Sequence, residues 1–453
     1  MTTAVQDRRA TAPTTGHAPE AYVRDFDATL EATAAQPRWV AALRRAGHAS
    51  FVKHGFPTTK VEDWHFTSVA AIAESDFMAL TAPGGDVTAD DVARYSFGQA
   101  GWHTMVFVNG SFAPALSSLA GLPAGVRVQS FADALQDVPQ LMERHLGKVA
   151  SMTEPADAFT ALNTMYMTDG AVIHIPADVV VDRPIHLLFI TDAMAARGIM
   201  HPRTLIVSER HSRARVIETY AATGDAHYFT NAVTEAIVAD GATLNHLKLQ
   251  RESGRAFHVS TTTATQGRDS HFVSFSFGIG GDLSRSNVYT RLAGEGCGAT
   301  LNGLYLLDGA QHMDHQTNIV HVEPNCFSRE LYKGILDDRS HGVFNGKVYV
   351  YAEAQKTDGK QTNNTLLLSP TAQIDTKPQL EIFADDVKCT HGATVGQLDQ
   401  TALFYMKSRG VSTELARQLL TYAFAADALE TIELDAVRDG LEELVLKRYT
   451  TAD

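Results

Sequence analysis

The sequence predicts a mainly β protein with helical ends, whose core is a right-handed parallel β-helix flanked by an N-terminal and a C-terminal helical region. Three observations favour this fold class. Helical spacing of apolar residues is confined to the two ends of the chain, short β-rich runs separated by turn residues fill the middle, and one of these runs recurs. So many strands without intervening helices leave a sandwich, a barrel or a solenoid.

The composition is that of an ordinary globular chain of 453 residues, 44% of them hydrophobic. With 38 Lys plus Arg against 52 Asp plus Glu, the net charge is -14. A surface for nucleic acid or an anionic membrane would need a local basic stripe, and the sequence has none. It also has neither an apolar run of about 20 residues nor the apolar core of a signal peptide. We therefore expect a cytoplasmic protein without a membrane segment.

The N-terminal region is expected to be helical or mixed. Residues 1–15 are rich in Thr, Ala and charge, which predicts a disordered tail. Within 16–150, apolar residues at three- and four-residue spacing predict helices over 21–34 and 39–54. From Val87 onward the signals are mixed.

Residues 151–400 are expected to form the solenoid, and internal repetition favours this architecture over a sandwich. Gly241-Ala-Thr-Leu-Asn245 recurs as Gly298-Ala-Thr-Leu-Asn302. Weaker repeats of this string begin near Arg213, Asp269, Thr371 and Gly392. Neighbouring repeats lie mostly about 20 to 30 residues apart, which is the size of one solenoid coil. The alternative is chance recurrence of a common turn-into-strand string.

A solenoid cannot close on itself, so its two ends must be covered or paired. We expect the N-terminal helices to cap one end and a paralogous chain to extend the other.

Residues 401–453 are expected to be helical. One helix starts after Ser412 or Thr413 as N-cap. A second helix, over about 435–449, has one apolar face formed by Val437, Leu441, Leu444, Val445 and Tyr449. That face either packs on the chain's own helices or docks a partner in part.

Three widely spaced cysteines, Cys297, Cys326 and Cys389, predict reduced thiols and no disulfide framework. Three thiols are too few for the four that normally hold an iron–sulfur cluster within one chain, and no Cys-x-x-Cys pair occurs. Cys297 and Cys326 are expected to be structural.

Cys389 and His391 are the candidate pair for chemistry. Two residues apart in a strand, their side chains lie on the same face and can approach one iron or one sulfur atom. Lys388 and a protonated His391 would lower the pKa of the Cys389 thiol. From spacing alone, a buried Cys beside a hydrogen-bonded His in a turn is the alternative.

Other polar groups are expected to serve the fold. The spacing in one group does not fit a zincin helix and predicts ordinary turn polarity: His312, Asp314, His315 and His321. A second group predicts side chains that satisfy turns: Lys356, Asp358, Gln361, Asn363 and Asn364. The segment 342–347 is one residue short of a phosphate loop, and Val348 replaces its Ser or Thr, so we expect no ATP binding.

A family resemblance rests on four strings: Gly55-Phe-Pro-Thr-Thr-Lys-Val-Glu-Asp-Trp64, Gln361-Thr-Asn-Asn364, Pro378-Gln-Leu-Glu-Ile382 and Cys389-Thr-His-Gly-Ala-Thr394. With the segment 159–170, they resemble the SufB/SufD family of iron–sulfur cluster assembly proteins over residues 55–430. Gly392 stands where the SufB branch has Glu, so the cysteine string resembles the SufD branch.

The resemblance implies a non-catalytic scaffold subunit that pairs with a SufB-like paralogue through the β-helices and shares a transient iron–sulfur cluster with it. It implies that His391 and Cys389 belong to the cluster-assembly site. It places five residues at the partner interface: Lys388, Thr390, Gly392, Ala393 and Thr394.

The resemblance further implies that the C-terminal region binds a SufC-like ATPase, and that a cysteine desulfurase supplies sulfur indirectly. The expected docking residues are Ser408, Arg409, Gly410, Leu415, Leu419 and Tyr422. Flavin binding stays open, since no dinucleotide fingerprint follows a strand.

Two rival functions also stay open. One is a SufB-like homodimeric scaffold, which Gly392 and the lack of a Cys-x-x-Cys pair disfavour. The other is a β-helix enzyme acting on polysaccharide. Asp385-Asp386 is the only adjacent carboxylate pair in the polar block, and strand alternation would place the two side chains on opposite faces.

Overall fold

A computed structural model describes residues 19–80 and 84–450. The predicted tail, 1–15, lies outside the described residues. The core is a β-solenoid of about eight turns, with helices at both ends of the chain, so the predicted fold class is confirmed.

Twenty-one strands are found in the described residues. In chain order they are β1 (Met78–Ala79), β2 (His103–Val108), β3 (Ser111–Phe112), β4 (Arg127–Ser130), β5 (Ala171–Ile175), β6 (Ile185–Thr191), β7 (Gly198–Met200), β8 (Arg203–Ser208), β9 (Arg213–Ala222), β10 (Phe229–Val238), β11 (Thr243–Arg251), β12 (Phe257–Gln266), β13 (His271–Ile279), β14 (Leu283–Leu292), β15 (Gly298–Leu307), β16 (His312–His321), β17 (Phe327–Leu336), β18 (His341–Val350), β19 (Asp358–Leu367), β20 (Gln373–Ile382) and β21 (Lys388–Gly396).

Ten α-helices accompany the strands in the part of the chain that the structure describes. They are α1 (Phe26–Ala32), α2 (Arg38–His54), α3 (Ala70–Ala73), α4 (Ala89–Tyr95), α5 (Phe131–Asp137), α6 (Pro139–His145), α7 (Ala158–Tyr166), α8 (Gln400–Ser408), α9 (Thr413–Leu429) and α10 (Asp435–Thr450).

The strands form two long sheets. From β8 onward, even-numbered strands follow one another in the eleven-stranded sheet and odd-numbered strands follow in the ten-stranded sheet, all in parallel. Each coil of the solenoid therefore contributes one strand to each sheet. This alternation is the topology of a parallel β-helix, in which every strand pairs with the strand one coil away.

The pairing register between neighbouring coils gives the length of the structural repeat. Thr243 pairs with His271 and His271 pairs with Gly298, which are steps of 28 and 27 residues. The two Gly-Ala-Thr-Leu-Asn strings thus lie two coils apart and are offset by two residues from the structural register. An even offset keeps inward-facing and outward-facing positions aligned, which is why the string still marks strands correctly.

The N-terminal helices flank the solenoid and do not cap its end, contrary to the expectation from the sequence. Their apolar core, which includes Phe51, Trp64 and Phe159, packs on outward-facing Phe229 and Phe257 of the eleven-stranded sheet. The first end of the solenoid is instead closed by antiparallel strands: β3 pairs with β2, and β4 pairs with β5. Apolar outer positions of the sheet favour this lateral packing because it buries them.

The C-terminal helices cover the outer face of the ten-stranded sheet. Ser412 caps α9, its hydroxyl accepting from the Leu415 amide at 3.2 Å. In α10 the predicted apolar face is buried within the chain, with Val437, Leu441 and Val445 inaccessible to solvent. That face therefore packs on the chain's own core. None of the described helices is long and apolar enough to cross a membrane.

The other end of the solenoid is open. Its last coil comprises β20, β21 and the turn 383–387 between them. β20 and β21 pair with β18 and β19, and no further strand of the described chain pairs with their outer edges. The side chains of β21 are exposed except for Cys389, which is half-buried, so the last coil presents both unpaired backbone groups and uncovered interior.

Candidate functional site

Cys389 and His391 both lie in β21, as the sequence predicted, and point to the same side of the sheet. Their Cα partners in β19 are Gly359 and Gln361. The thiol is half-buried, whereas the imidazole is exposed because no further coil covers it. The last coil thus holds the thiol at the edge of the interior and presents the imidazole at its open end.

The interior position of Cys389 controls the acidity of its thiol. Its sulfur packs against the apolar core of the solenoid. Burial raises the pKa of Cys389, and the nearby charge of Asp358 raises it further. The expectation that Lys388 and His391 would lower this pKa is therefore wrong. Alternation along β21 turns Lys388 to the face opposite the thiol.

Beneath His391, the interior is polar. Gln361, its partner in register, donates from Nε2 to Glu330 Oε2 at 2.7 Å. Glu330 is buried, and burial raises its pKa to about 7. Glu330 was not identifiable from the sequence, because a charged residue in an alternating strand does not reveal which face it occupies. The part of the chain that the structure describes shows no hydrogen bond to the His391 side chain itself.

The residues predicted for the partner interface share this strand. All five, Lys388, Thr390, Gly392, Ala393 and Thr394, are exposed in β21. Exposed apolar side chains that the sequence analysis missed surround the same end: Ile382, Phe383 and Val395, with Phe383 58% exposed. Inside a longer solenoid two of these positions, 382 and 395, would face the next coil. Their exposure follows from being in the last coil.

The residues predicted for ATPase docking lie on α8, on α9 and in the turn between them. Ser408 ends α8, Arg409 and Gly410 follow it, and Leu415 and Leu419 are exposed on α9 by 45% and 41%. Tyr422 is half-buried against the C-terminal core. Phe404 and Tyr405 of α8 were not among the predicted docking residues, although their side chains are 73% and 59% exposed.

The predicted histidine group is divided between the two faces of β16, so these residues do not form a turn. His312 and Asp314 point outward and bind the N-terminal segment through the Thr67 hydroxyl, which lies 2.9 Å from His312 and 2.6 Å from Asp314. His315 and His321 are buried on the opposite, inward face. The four side chains cannot converge on one metal.

Asp314 also pairs with a buried arginine. Its Oδ2 is 2.5 Å from Nη1 of Arg285, whose guanidinium lies 3.6 Å from the centroid of the Trp64 ring. The family string that ends at Trp64 is therefore docked onto the outer face of the solenoid.

The remaining polar residues serve the fold, although not all in turns. Gln361 and Asn363 are buried in β19, and Lys356 pairs with Asp386 between coils. The segment 342–347 belongs to strand β18 and forms no loop before a helix. Asp385 and Asp386 lie in the turn 383–387, so the strand alternation assumed for them does not apply.

Cys297 and Cys326 are buried free thiols in adjacent coils. Their sulfur atoms lie 2.9 and 3.3 Å from the Gly294 carbonyl oxygen, which accepts from both. Across residues 19–80 and 84–450, no three His, Cys, Asp or Glu side chains converge as a metal site. Cys389 and His391 offer two ligands at most, whereas an iron–sulfur cluster usually takes four.

The fold and the site define the class. The chain is a β-solenoid protein with an uncovered last coil that displays one thiol and one imidazole, a pair too small to hold a cluster by itself. Family models for the SUF system FeS cluster assembly SufBD core domain and for the SufBD protein N-terminal region match residues 189–424 and 18–187. The chain belongs to the SufBD family.

Relatives that match this chain over most of their length support the family assignment. The chain is 35% identical to an iron–sulfur cluster assembly SufBD family protein of Synechocystis over 86% of both chains. It is 34% identical to the iron–sulfur cluster assembly protein SufD of Escherichia coli over 88% of this chain and 89% of that one. For SufD of Bacillus subtilis the identity is 26% over 91% and 94%. These matches make the chain a SufD-type scaffold subunit of SUF iron–sulfur cluster assembly.

Proposed function

We propose that the last coil pairs with a SufB-like paralogue and that His391 supplies one ligand to a nascent iron–sulfur cluster at that interface, with Cys389 as a second. The observation that carries this proposal is the open edge strand β21, which presents an exposed imidazole with no hydrogen-bond partner among the described side chains. An imidazole can replace a thiolate at one iron of a cluster.

The open end favours pairing with another chain for a physical reason. The outer edges of β20 and β21 present unpaired N–H and C=O groups next to exposed Ile382, Phe383 and Val395. A second solenoid would satisfy the backbone groups and bury the apolar side chains. It would also contribute the ligands that one thiol and one imidazole lack, so the cluster is cargo shared between two chains.

The C-terminal helices are the proposed docking surface for a SufC-like ATPase, which hydrolyses ATP while this chain remains a non-catalytic scaffold. Leu415, Leu419 and Phe404 would be buried by such a partner. On its inner side, α9 is tied to the solenoid. Lys333 of β17 donates to the Phe424 carbonyl at 3.0 Å and pairs with Asp427 at 2.5 Å. A movement of the ATPase would therefore reach the sheet that ends in β21.

We place this complex in the cytoplasm, where a cysteine desulfurase supplies sulfur through the partner subunits and the cluster stays only transiently. Flavin binding is left open. The homodimeric alternative uses the same open edge, so the oligomeric state of the chain purified alone would detect it.

Replacing His391 with Ala tests the ligand role. The chain should still fold and co-purify with a SufB-like chain and a SufC-like ATPase, because the exposed imidazole supports no internal contact. Visible absorption from thiolate-to-iron charge transfer should be lost after anaerobic reconstitution. Lys360→Ala is the matched control, since Lys360 is exposed in the neighbouring strand β19 and is not among the residues predicted for the partner interface. A correctly assembled His391→Ala complex with normal cluster absorption would exclude His391 as a ligand.

A further inference from the structure

A cleft of about 620 Å³ lies between the N-terminal region, the solenoid and the C-terminal helices. Arg94 of α4 and Arg251, the last residue of β11, line it together with Phe97 and Leu444. The cleft shares no residue with the last coil or with the predicted docking residues. Neither the fold nor the proposed function explains it.

Both arginines are held by one aromatic ring. The guanidinium carbon of Arg94 is 5.6 Å from the centroid of the Tyr95 ring, and that of Arg251 is 5.1 Å from it. The Tyr95 ring is buried, and its hydroxyl donates to the Ala222 carbonyl at 2.5 Å. The ring is thereby fixed, and it positions both guanidinium groups at the cleft.

The acidic groups of the cleft do not neutralise this pair. Asp439 contacts Arg438 at 3.5 Å, and Glu443 pairs with Lys447 at 2.6 Å. Asp91, the carboxylate closest in sequence to Arg94, accepts the Thr88 amide at 2.9 Å in capping α4; hydrogen bonds from Thr88 are the main cause that lowers its pKa, and the charge of Arg94 is the smallest.

Arg251 forms no ion pair within the described ranges. Burial lowers its pKa, and the charge of Arg94 lowers it further. A partly desolvated guanidinium that also feels the charge of Arg94 is unfavourable unless an anion neutralises it.

We propose that this cleft binds a small phosphate-bearing molecule, with Arg251 and Arg94 holding the phosphate. The guanidinium fork matches phosphate geometry, and two forks on one ring can contact one phosphate group from two directions. The volume lies within the usual range of about 300 to 1,000 Å³ for small-molecule sites. Phe97 and Leu444 provide apolar surface for the remainder of the ligand.

The test is calorimetric titration of the purified full-length chain with phenyl phosphate, against potassium chloride at matched ionic strength. Phenyl phosphate should bind, and Arg251→Gln should weaken its affinity tenfold or more. Arg94→Gln should also weaken the affinity for phenyl phosphate. Because Arg94 is exposed, this variant should fold, so it tests the proposal even if Arg251→Gln fails to fold. Arg45→Gln, which removes an exposed arginine of α2, is the matched control and should bind normally.

Two results would overturn the proposal. One is that the wild-type protein shows no more binding heat with phenyl phosphate than with the chloride control, up to about 10 mM ligand. At that concentration even a millimolar affinity would be detected. The other is unchanged affinity in the arginine variants. Benzoate, which replaces phosphate with carboxylate on the same ring, should bind more weakly; equal binding would exclude phosphate as the recognised group. None of these results depends on cluster assembly, so they can be told apart from a failure of the His391 experiment.

Discussion

The thiol of Cys389 fits against the chain because its neighbour one coil earlier is Gly359. The two residues are Cα partners, and a Cβ atom at position 359 would lie 3.3 Å from the Cys389 sulfur and 3.4 Å from the Ser328 hydroxyl. The missing side chain leaves room for the sulfur to turn inward. It thereby contributes to the burial that raises the pKa of this thiol.

Gly359→Val should displace the Cys389 thiol toward solvent and speed its alkylation by iodoacetamide several-fold. A less buried thiol has a lower pKa and more reactive thiolate at a given pH. Mass spectrometry of the digested protein gives the rate for each cysteine, with buried Cys297 and Cys326 as internal references. Gly396→Ala is the control, because a Cβ there meets nothing within 4 Å. An unchanged rate in Gly359→Val would contradict this account of the thiol's position.

Leu419→Asp should weaken binding of the ATPase subunit about tenfold or more, because the interface would then have to bury a charge. The substitution should change the free energy of unfolding by only ~0.5 kcal/mol, since Leu419 is exposed in the isolated chain. Binding is measured by titration and unfolding by urea. Val52→Asp is the control, being 50% exposed on α2 at a distance in sequence from the docking helices. Equal ATPase binding by both variants would show that the docking surface does not include Leu419.

Asp314→Ala should lower the free energy of unfolding by about 3 to 5 kcal/mol, because it leaves the Arg285 guanidinium buried without its partner. The two side chains are each 1% exposed and 2.5 Å apart. Urea unfolding measures the loss. The double replacement Arg285→Met with Asp314→Leu should cost less than Asp314→Ala alone, since it removes both charges. A larger loss in the double variant would show that packing around Trp64, and not charge burial, dominates.

Glu330 predicts a pH effect on stability. Its pKa is about 7 in the folded chain, against an ordinary value of 4.5, so the folded state keeps a proton that the unfolded state releases between these values. The stability contributed by this group is present below about pH 4.5 and is lost as the pH rises toward 7, by roughly 3 kcal/mol in all.

Glu330→Gln should remove that dependence, because the amide oxygen still accepts from Gln361 and does not titrate. The stability of this variant relative to wild type should therefore increase by roughly 2.5 kcal/mol from pH 5 to pH 8. Urea unfolding of both proteins at the two pH values gives the difference, in which the other titrating groups cancel. A difference near zero would mean that Glu330 is ionised in the folded chain at pH 5.

Several elements were predictable because their signals are local. The helix after Ser412 coincides with α9, and the repeat length matches the coil. Cys389 and His391 share a strand face because they are two residues apart. The direction of the Cys389 pKa was not predictable in this way, since it depends on burial of the thiol against the preceding coil and on the charge of Asp358 there.

The sequence by itself determined the fold class, the family and the pair of residues at the open end. These follow from periodicity and from strings of neighbouring residues, which need no knowledge of what packs on them. Only the tertiary structure decided which strand is last, which face of β16 each histidine occupies, and where the N-terminal segment docks. Thr67 and Asp314 meet across 247 positions of sequence. Such contacts depend on the register between coils, and a shift of one residue in that register would turn every side chain to the other face.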